Sequence, residues 1–182
     1  EIVTVDEGIR FDASPESLSG LNVLSEDGVL TAGTSSQICD GAAAIMIVND
    51  AGLKKLGIKP RAKIIALALA GDDPVIMLTG PIPASKNVLN KADLSIEDID
   101  LYEVNEAFAP VPLAWAHELG ADLEKLNVNG GAMALGHPLG GTGAKLMTTL
   151  LHELERREAR YGLQAICEGG GTANAMIIER LS

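Results

Sequence analysis

Three residues of types that handle protons and stabilise oxyanions stand at strand ends or in glycine-dense loops: Asn105, His137 and Cys167. His137 lies in the stretch NVNGGAMALGHPLGGTGAK, Asn127–Lys145, between Gly136 and Pro138, with no acidic residue nearby in the chain. Glycines let backbone approach a ligand and leave N–H donors facing outward, while the proline stiffens the exit from the histidine. An imidazole cradled in this way can serve as a general base. Cys167 is followed closely by Gly169-Gly170-Gly171, whose N–H groups can face a developing oxyanion. A cysteine acts as nucleophile or base once it is a thiolate, and a neighbouring imidazole makes that easier. Taken singly, each feature also has a plain structural reading. The loop can be a close-packed turn, Asn105 a helix cap, and Cys167, behind Ala165 and Ile166, a core residue. Cys39 sits in a polar loop with no basic residue beside it and reads as structural.

Other ligand motifs fail on spacing. A P-loop needs glycine directly before lysine, but Gly143 is followed by Ala144 and then Lys145. Gly141-Thr142-Gly143 is not continued as a dinucleotide fingerprint, because Ala-Lys-Leu follows. Cys39, Cys167, His117, His137 and His152 show no zinc-ligand spacing, so no metal is expected and the cysteines read as reduced thiols.

The elements that must position these residues alternate between strand and helix. Ala42–Val48 is a continuous apolar run and reads as a buried strand, followed by a helix from a cap at Asp50 to Gly57. Lys63–Ala70 reads as a second buried strand, and Pro83 opens a helix. Ser95–Asp98 reads as a capped turn. Leu101–Val104 reads as a third strand, which puts Asn105-Glu106 at its C-terminal end, where ligands of α/β sheets gather. Pro110 and Pro112 require the next helix to begin late or with distorted first turns. Leu146, Met147, Leu150, Leu151 and Leu154 mark one face of a long helix reaching to about Glu158. Leu163–Cys167 and Asn174–Glu179 read as a hairpin across the three glycines. The fold class is therefore α/β with a mixed sheet.

Composition agrees and excludes several partners. Apolar residues make up 47% and aromatics only 3%, so the core is aliphatic. The net charge of −11 argues against nucleic acid or an anionic membrane surface. No apolar run approaches the roughly 18 residues that span a bilayer. With no visible signal peptide, a cytoplasmic setting is expected, without excluding an organelle. The chain opens on EIVTVDEGIR rather than a methionine, which suggests processing or a piece of a longer protein.

NEAFA (Asn105–Ala109), NVNGGAMALGHPLGGTGA (Asn127–Ala144) and CEGGG (Cys167–Gly171) together resemble the three C-terminal signatures of the thiolase family, in its order and at similar spacing. LTAGTSSQICDGAAA (Leu30–Ala44) resembles the start of that family's C-terminal half. The resemblance implies a thiolase-like C-terminal domain over residues 34–182, with residues 1–33 an extended lead-in, and a mixed five-stranded sheet flanked by helices. It implies reversible thiolysis of 3-ketoacyl-coenzyme A, or Claisen condensation in reverse, with coenzyme A as substrate and no cofactor. By motif, His137 would activate the nucleophilic cysteine, Asn105 would hold a water in the oxyanion hole, and Cys167 would shuttle a proton. Gly169 would offer its N–H to a second oxyanion. Ser36, Ala107 and Phe108 would contact the coenzyme A or acyl moiety. Ketoacyl synthases place a histidine where Cys167 stands, which favours thiolase. The family's acyl-accepting cysteine belongs to the N-terminal half, in the same or a second chain, so this chain is expected to be inactive alone and to join a homo-oligomer. A non-catalytic scaffold subunit is the alternative.

Overall fold

A computed structural model describes residues 2–181. Its sheet has four strands: β1 (Ala62–Gly71), β2 (Leu101–Val104), β3 (Tyr161–Glu168) and β4 (Thr172–Arg180), in the order β1-β4-β3-β2. β2 runs parallel to β3, while β4 is antiparallel to both β3 and β1. The sheet is mixed as expected, but four-stranded among the described residues rather than five-stranded. No ladder forms over the run 42–48, and Ile45, Met46 and Ile47 are 42%, 72% and 70% exposed. A run apolar on every side persists as a central strand only where both faces are covered. Here its ends are tied elsewhere: Gly41 lies against Pro138, and Asn49 caps a helix.

Six α-helices are described: α1 (Pro15–Ser19), α2 (Asp50–Leu56), α3 (Pro81–Ala92), α4 (Pro110–Leu119), α5 (Ala132–Leu135) and α6 (Thr142–Arg156). In α2 the cap is Asn49, whose side chain accepts from the Gly52 N–H, and Asp50 is the first helical residue. Gly57 closes it at φ 64°. α3 begins at Pro81, two residues before Pro83. In α4 both prolines fall in the first turn, where N–H groups have no intrahelical partner. A late helix start therefore accommodates them without a kink.

The layers are helix, sheet, helix. Ala84, Val88 and Leu89 of α3 and Trp115 and Ala116 of α4 pack on Tyr102, Val104, Leu163, Ala165, Ala175 and Ile177. On the opposite face Met147, Leu150 and Leu154 of α6 pack on Leu101 and Ile178. Alternation along β2 explains the division: Tyr102 and Val104 face α3 and α4, Leu101 faces α6. Gly162 permits the close approach of α6, since a Cβ there would lie 2.9 Å from Leu150 and Leu154.

Candidate active site

Parallel pairing of β2 with β3 brings their C-terminal ends to one edge of the sheet. Directly after β2, the Asn105 N–H donates to the Ala165 carbonyl at 3.0 Å, which carries the ladder one residue further. Cys167 lies two residues on from Ala165, before the tight turn into β4. Gly171, at φ 80°, lets the 72–74 backbone press against that turn, with Asp72 N–H donating to its carbonyl at 2.6 Å.

His137 reaches the same edge from the loop between α5 and α6. Its N–H donates to the Gln37 carbonyl at 2.7 Å, which joins the loop to the 34–38 segment. On the ring, Nδ1 lies 2.6 Å from Thr142 Oγ1, and that hydroxyl donates to the Pro138 carbonyl at 3.0 Å. With the hydroxyl proton committed to Pro138, Nδ1 carries the ring proton and donates to Thr142. Nε2 is then left as an acceptor facing Asn105 Nδ2 at 3.5 Å. An imidazole with its lone pair toward the site is poised as a base.

Asn105 links the two titratable groups. It is 1% exposed, its amide faces Nε2 of His137, and it also counters the rise of the Cys167 thiol. Its Oδ1 has no donor among the described residues. Burial pushes the Cys167 thiol above its ordinary value, opposed by hydrogen bonds from its own backbone and from Asn105. Burial, and then the Lys145 charge, hold His137 below its usual range, which favours the neutral base.

A buried framework fixes the geometry behind these groups. Asn127 accepts from the Val104 N–H and donates to its carbonyl, both at 2.9 Å, and donates to Glu106 at 2.8 Å. Glu106 also accepts from the Met133 N–H at 3.1 Å and lies directly over Gly131, where a Cβ would strike its carboxylate. Lys145 donates to the Leu135 and Gly136 carbonyls at 3.2 and 2.7 Å. Glu103, 1% exposed and with Oε2 unpartnered among the described residues, lies across the ladder from Gln164; burial, then Glu106, push it up to about 8.

A cleft of about 440 Å³ opens over this edge. His137, Cys167, Gly169, Ala107 and Phe108 line it, and Asn105 lies beneath them. Ser36 is not on the cleft wall, but its N–H donates to the Ala107 carbonyl at 3.0 Å and Ala109 N–H donates to the Thr34 carbonyl at 2.9 Å. The segment carrying it is thereby laced beside the site. Thr142, Lys145, Asn127 and the cleft residues Met77 and Leu78 were not legible as site residues, whereas Glu106 stood out beside Asn105 by its place after β2. Thr142 alone left a signal, a hydroxyl at the first position of the helix that follows the His137 loop.

An imidazole, a thiol and a glycine-rich turn thus meet at one sheet edge of an α/β fold. The "Thiolase, C-terminal domain" model matches residues 58–180 and the "Thiolase, N-terminal domain" model residues 1–51, and the chain belongs to the thiolase family. It is 58% identical over 177 residues to the steroid 3-ketoacyl-CoA thiolase FadA6 of Mycobacterium tuberculosis, covering 97% of this chain and 43% of that protein. It is 46% identical over 182 residues to the acetyl-CoA acetyltransferase of Allochromatium vinosum, covering 100% of this chain and 46% of the relative. Among solved structures, it matches Bacillus anthracis acetyl-CoA acetyltransferase at TM-score 0.92 and 45% identity, over 97% of this chain and 45% of that one. Human mitochondrial 3-ketoacyl-CoA thiolase in complex with CoA matches at TM-score 0.89 and 44% identity, over 99% and 46%. The chain thus spans less than half the length of the relatives it matches. No helix among the described residues is long and apolar enough to cross a membrane.

Proposed function

We propose that this chain supplies the acid–base half of a thiolase active site, for reversible thiolysis of a 3-ketoacyl-coenzyme A or the reverse Claisen condensation. The observation that carries this reading is the convergence of His137 and Cys167 on one cleft, with the Asn105 amide facing His137 Nε2. The acyl-accepting cysteine comes from an N-terminal thiolase half. His137, with its lone pair outward, takes the proton of that cysteine; once protonated, Nε2 becomes a donor to the thioester oxygen. The orphan Oδ1 of Asn105 is an acceptor for a water whose second O–H faces the same oxygen.

Cys167 handles the other proton. In thiolysis it accepts the proton of the coenzyme A thiol or returns one to the departing α-carbon. A thiol kept protonated by burial is suited to giving that proton back. Gly169 stands in the open turn beside it, with its N–H available to a carbonyl oxygen of the second acyl group. Ser36, Ala107 and Phe108 are the coenzyme A-side contacts, and coenzyme A enters as substrate. A homo-oligomer in the cytoplasm is the setting proposed, and the isolated chain is proposed to be inactive.

The test is thiolysis of acetoacetyl-coenzyme A by the complete thiolase carrying His137→Ala, Cys167→Ala or Asn105→Ala. The first two substitutions are expected to reduce kcat by roughly 10³-fold or more, and the third by about 10²-fold. Unchanged turnover in the His137 and Cys167 variants would instead favour a scaffold subunit.

A further inference from the structure

Lys145 is at odds with its own helix. It sits in the first turn of α6, where the helix dipole disfavours a cation. It is also partly buried, which disfavours its charge again. A residue that breaks a local rule twice is retained for something outside the helix. Its ammonium leaves the helix surface and donates to the carbonyls of Leu135 and Gly136, at 3.2 and 2.7 Å, the two residues directly before His137. The first turn of α6 therefore holds the histidine twice, by the ring through Thr142 and by the backbone through Lys145.

We propose that Lys145 is the positioning residue of the His137 loop, clamping the Leu135 and Gly136 carbonyls and placing a fixed positive charge beside the imidazole. It does not line the cleft and acts through His137. The clamp fixes where the ring stands, and the charge disfavours the imidazolium, so that His137 rests as the neutral base. The groups facing Lys145 are Cys39 from the 34–41 loop, Glu103 from β2 and Glu106 after it, and each favours the ammonium when ionised. Glu153 of α6 bears on Glu103 and is itself paired with Arg156 and Arg157. Among the described residues, Lys145 is the one cation that acts on His137.

The experiment is a histidine NMR titration of the complete thiolase, labelled at the imidazole carbon, with the His137 signal assigned by its loss in H137N. Lys145→Met removes donor and charge, Lys145→Gln keeps a donor without the charge, and Lys145→Arg keeps both. The expected result is an upward shift of the His137 midpoint by roughly half a pH unit in K145M and K145Q, and none in K145R. If K145M does not fold, K145Q carries the same comparison. In thiolysis, kcat should fall about tenfold in K145M with KM within about twofold, and the acid limb of the pH–rate profile should move up with the NMR midpoint. An unchanged midpoint in both neutral variants, or a shift in K145R as large as in K145M, overturns the proposal. The rate arm rests on the thiolase reading and the titration does not. A wild-type protein without thiolysis activity would thus defeat that reading while the NMR midpoint still decides the role of Lys145.

Discussion

Thr142 Oγ1 and His137 Nδ1 lie 2.6 Å apart, and the same hydroxyl is bonded onward to the Pro138 carbonyl. One side chain at the start of α6 thereby decides which ring nitrogen of the base carries the proton.

The first prediction follows from that pair. Thr142→Val keeps the shape but leaves the Nδ1 proton without an acceptor in a site that is only 3% exposed at Thr142. Stability should drop by about 1–3 kcal/mol, and thiolysis kcat should fall roughly 10–100-fold. Thr142→Ser retains the hydroxyl and should recover most of both. Steady-state kinetics and thermal melts of the two variants decide it.

Glu103 makes stability depend on pH in the unusual direction. Its carboxyl is raised from 4.5 to about 8 in the folded chain. Between those values the folded state keeps a proton that the unfolded state releases, so stability falls as pH rises and levels off above the folded value. Glu103→Gln removes that dependence. Urea melts should show the variant gaining on wild type by on the order of 2–4 kcal/mol between pH 5 and pH 8. A gain that is the same at both pH values would contradict a protonated Glu103.

Gly131→Ala places a methyl on the Glu106 carboxylate. Glu106 must then move, and its bonds to Asn127 and the Met133 N–H are lost together. The expected cost is about 2–4 kcal/mol, a fall in Tm of roughly 5–10 °C for a domain of this size. Differential scanning calorimetry checks it.

Cys167 should alkylate slowly at neutral pH. Burial raises its thiol above the ordinary 9.0, so the iodoacetamide rate should climb through a midpoint above that value. Asn105→Ala removes the hydrogen bond that opposes the rise and should push the midpoint higher still. A midpoint lowered by the substitution would mean that Asn105 does not act on the sulfur. Mass spectrometry of the Cys167 peptide against pH reads both variants.

How much of this was legible in the sequence depended on the range of the interaction involved. Leu101–Val104 emerged at the expected residues, and the hairpin across Gly169–Gly171 formed with strands slightly longer than expected, because short apolar runs and glycine turns are set locally. Asn105, His137 and Cys167 stood out because glycine density and strand ends are visible along the chain. The run 42–48 misled for the opposite reason: apolarity announces a strand, but pairing requires a partner that periodicity does not name. Asn127 and Lys145 stayed hidden as supports, since each acts on backbone 9 to 23 residues away, a distance only the fold closes; Glu106 stood out by its position after β2, but its partners did not.

The cleft has two walls of different origin. His137, Cys167 and Gly169 come from segments tied to the sheet edge and to α6, whereas Met77 and Leu78 belong to the connection between β1 and α3, which meets the hairpin turn through the Asp72–Gly171 bond. The connection carries bulk and apolarity but none of the proton-handling groups. Selection or an engineer can therefore resize what the cleft admits by exchanging side chains at 75–78 while leaving the machinery for bond making and breaking untouched. Under the proposed function, catalytic constancy and breadth of diet are carried on separate pieces of chain.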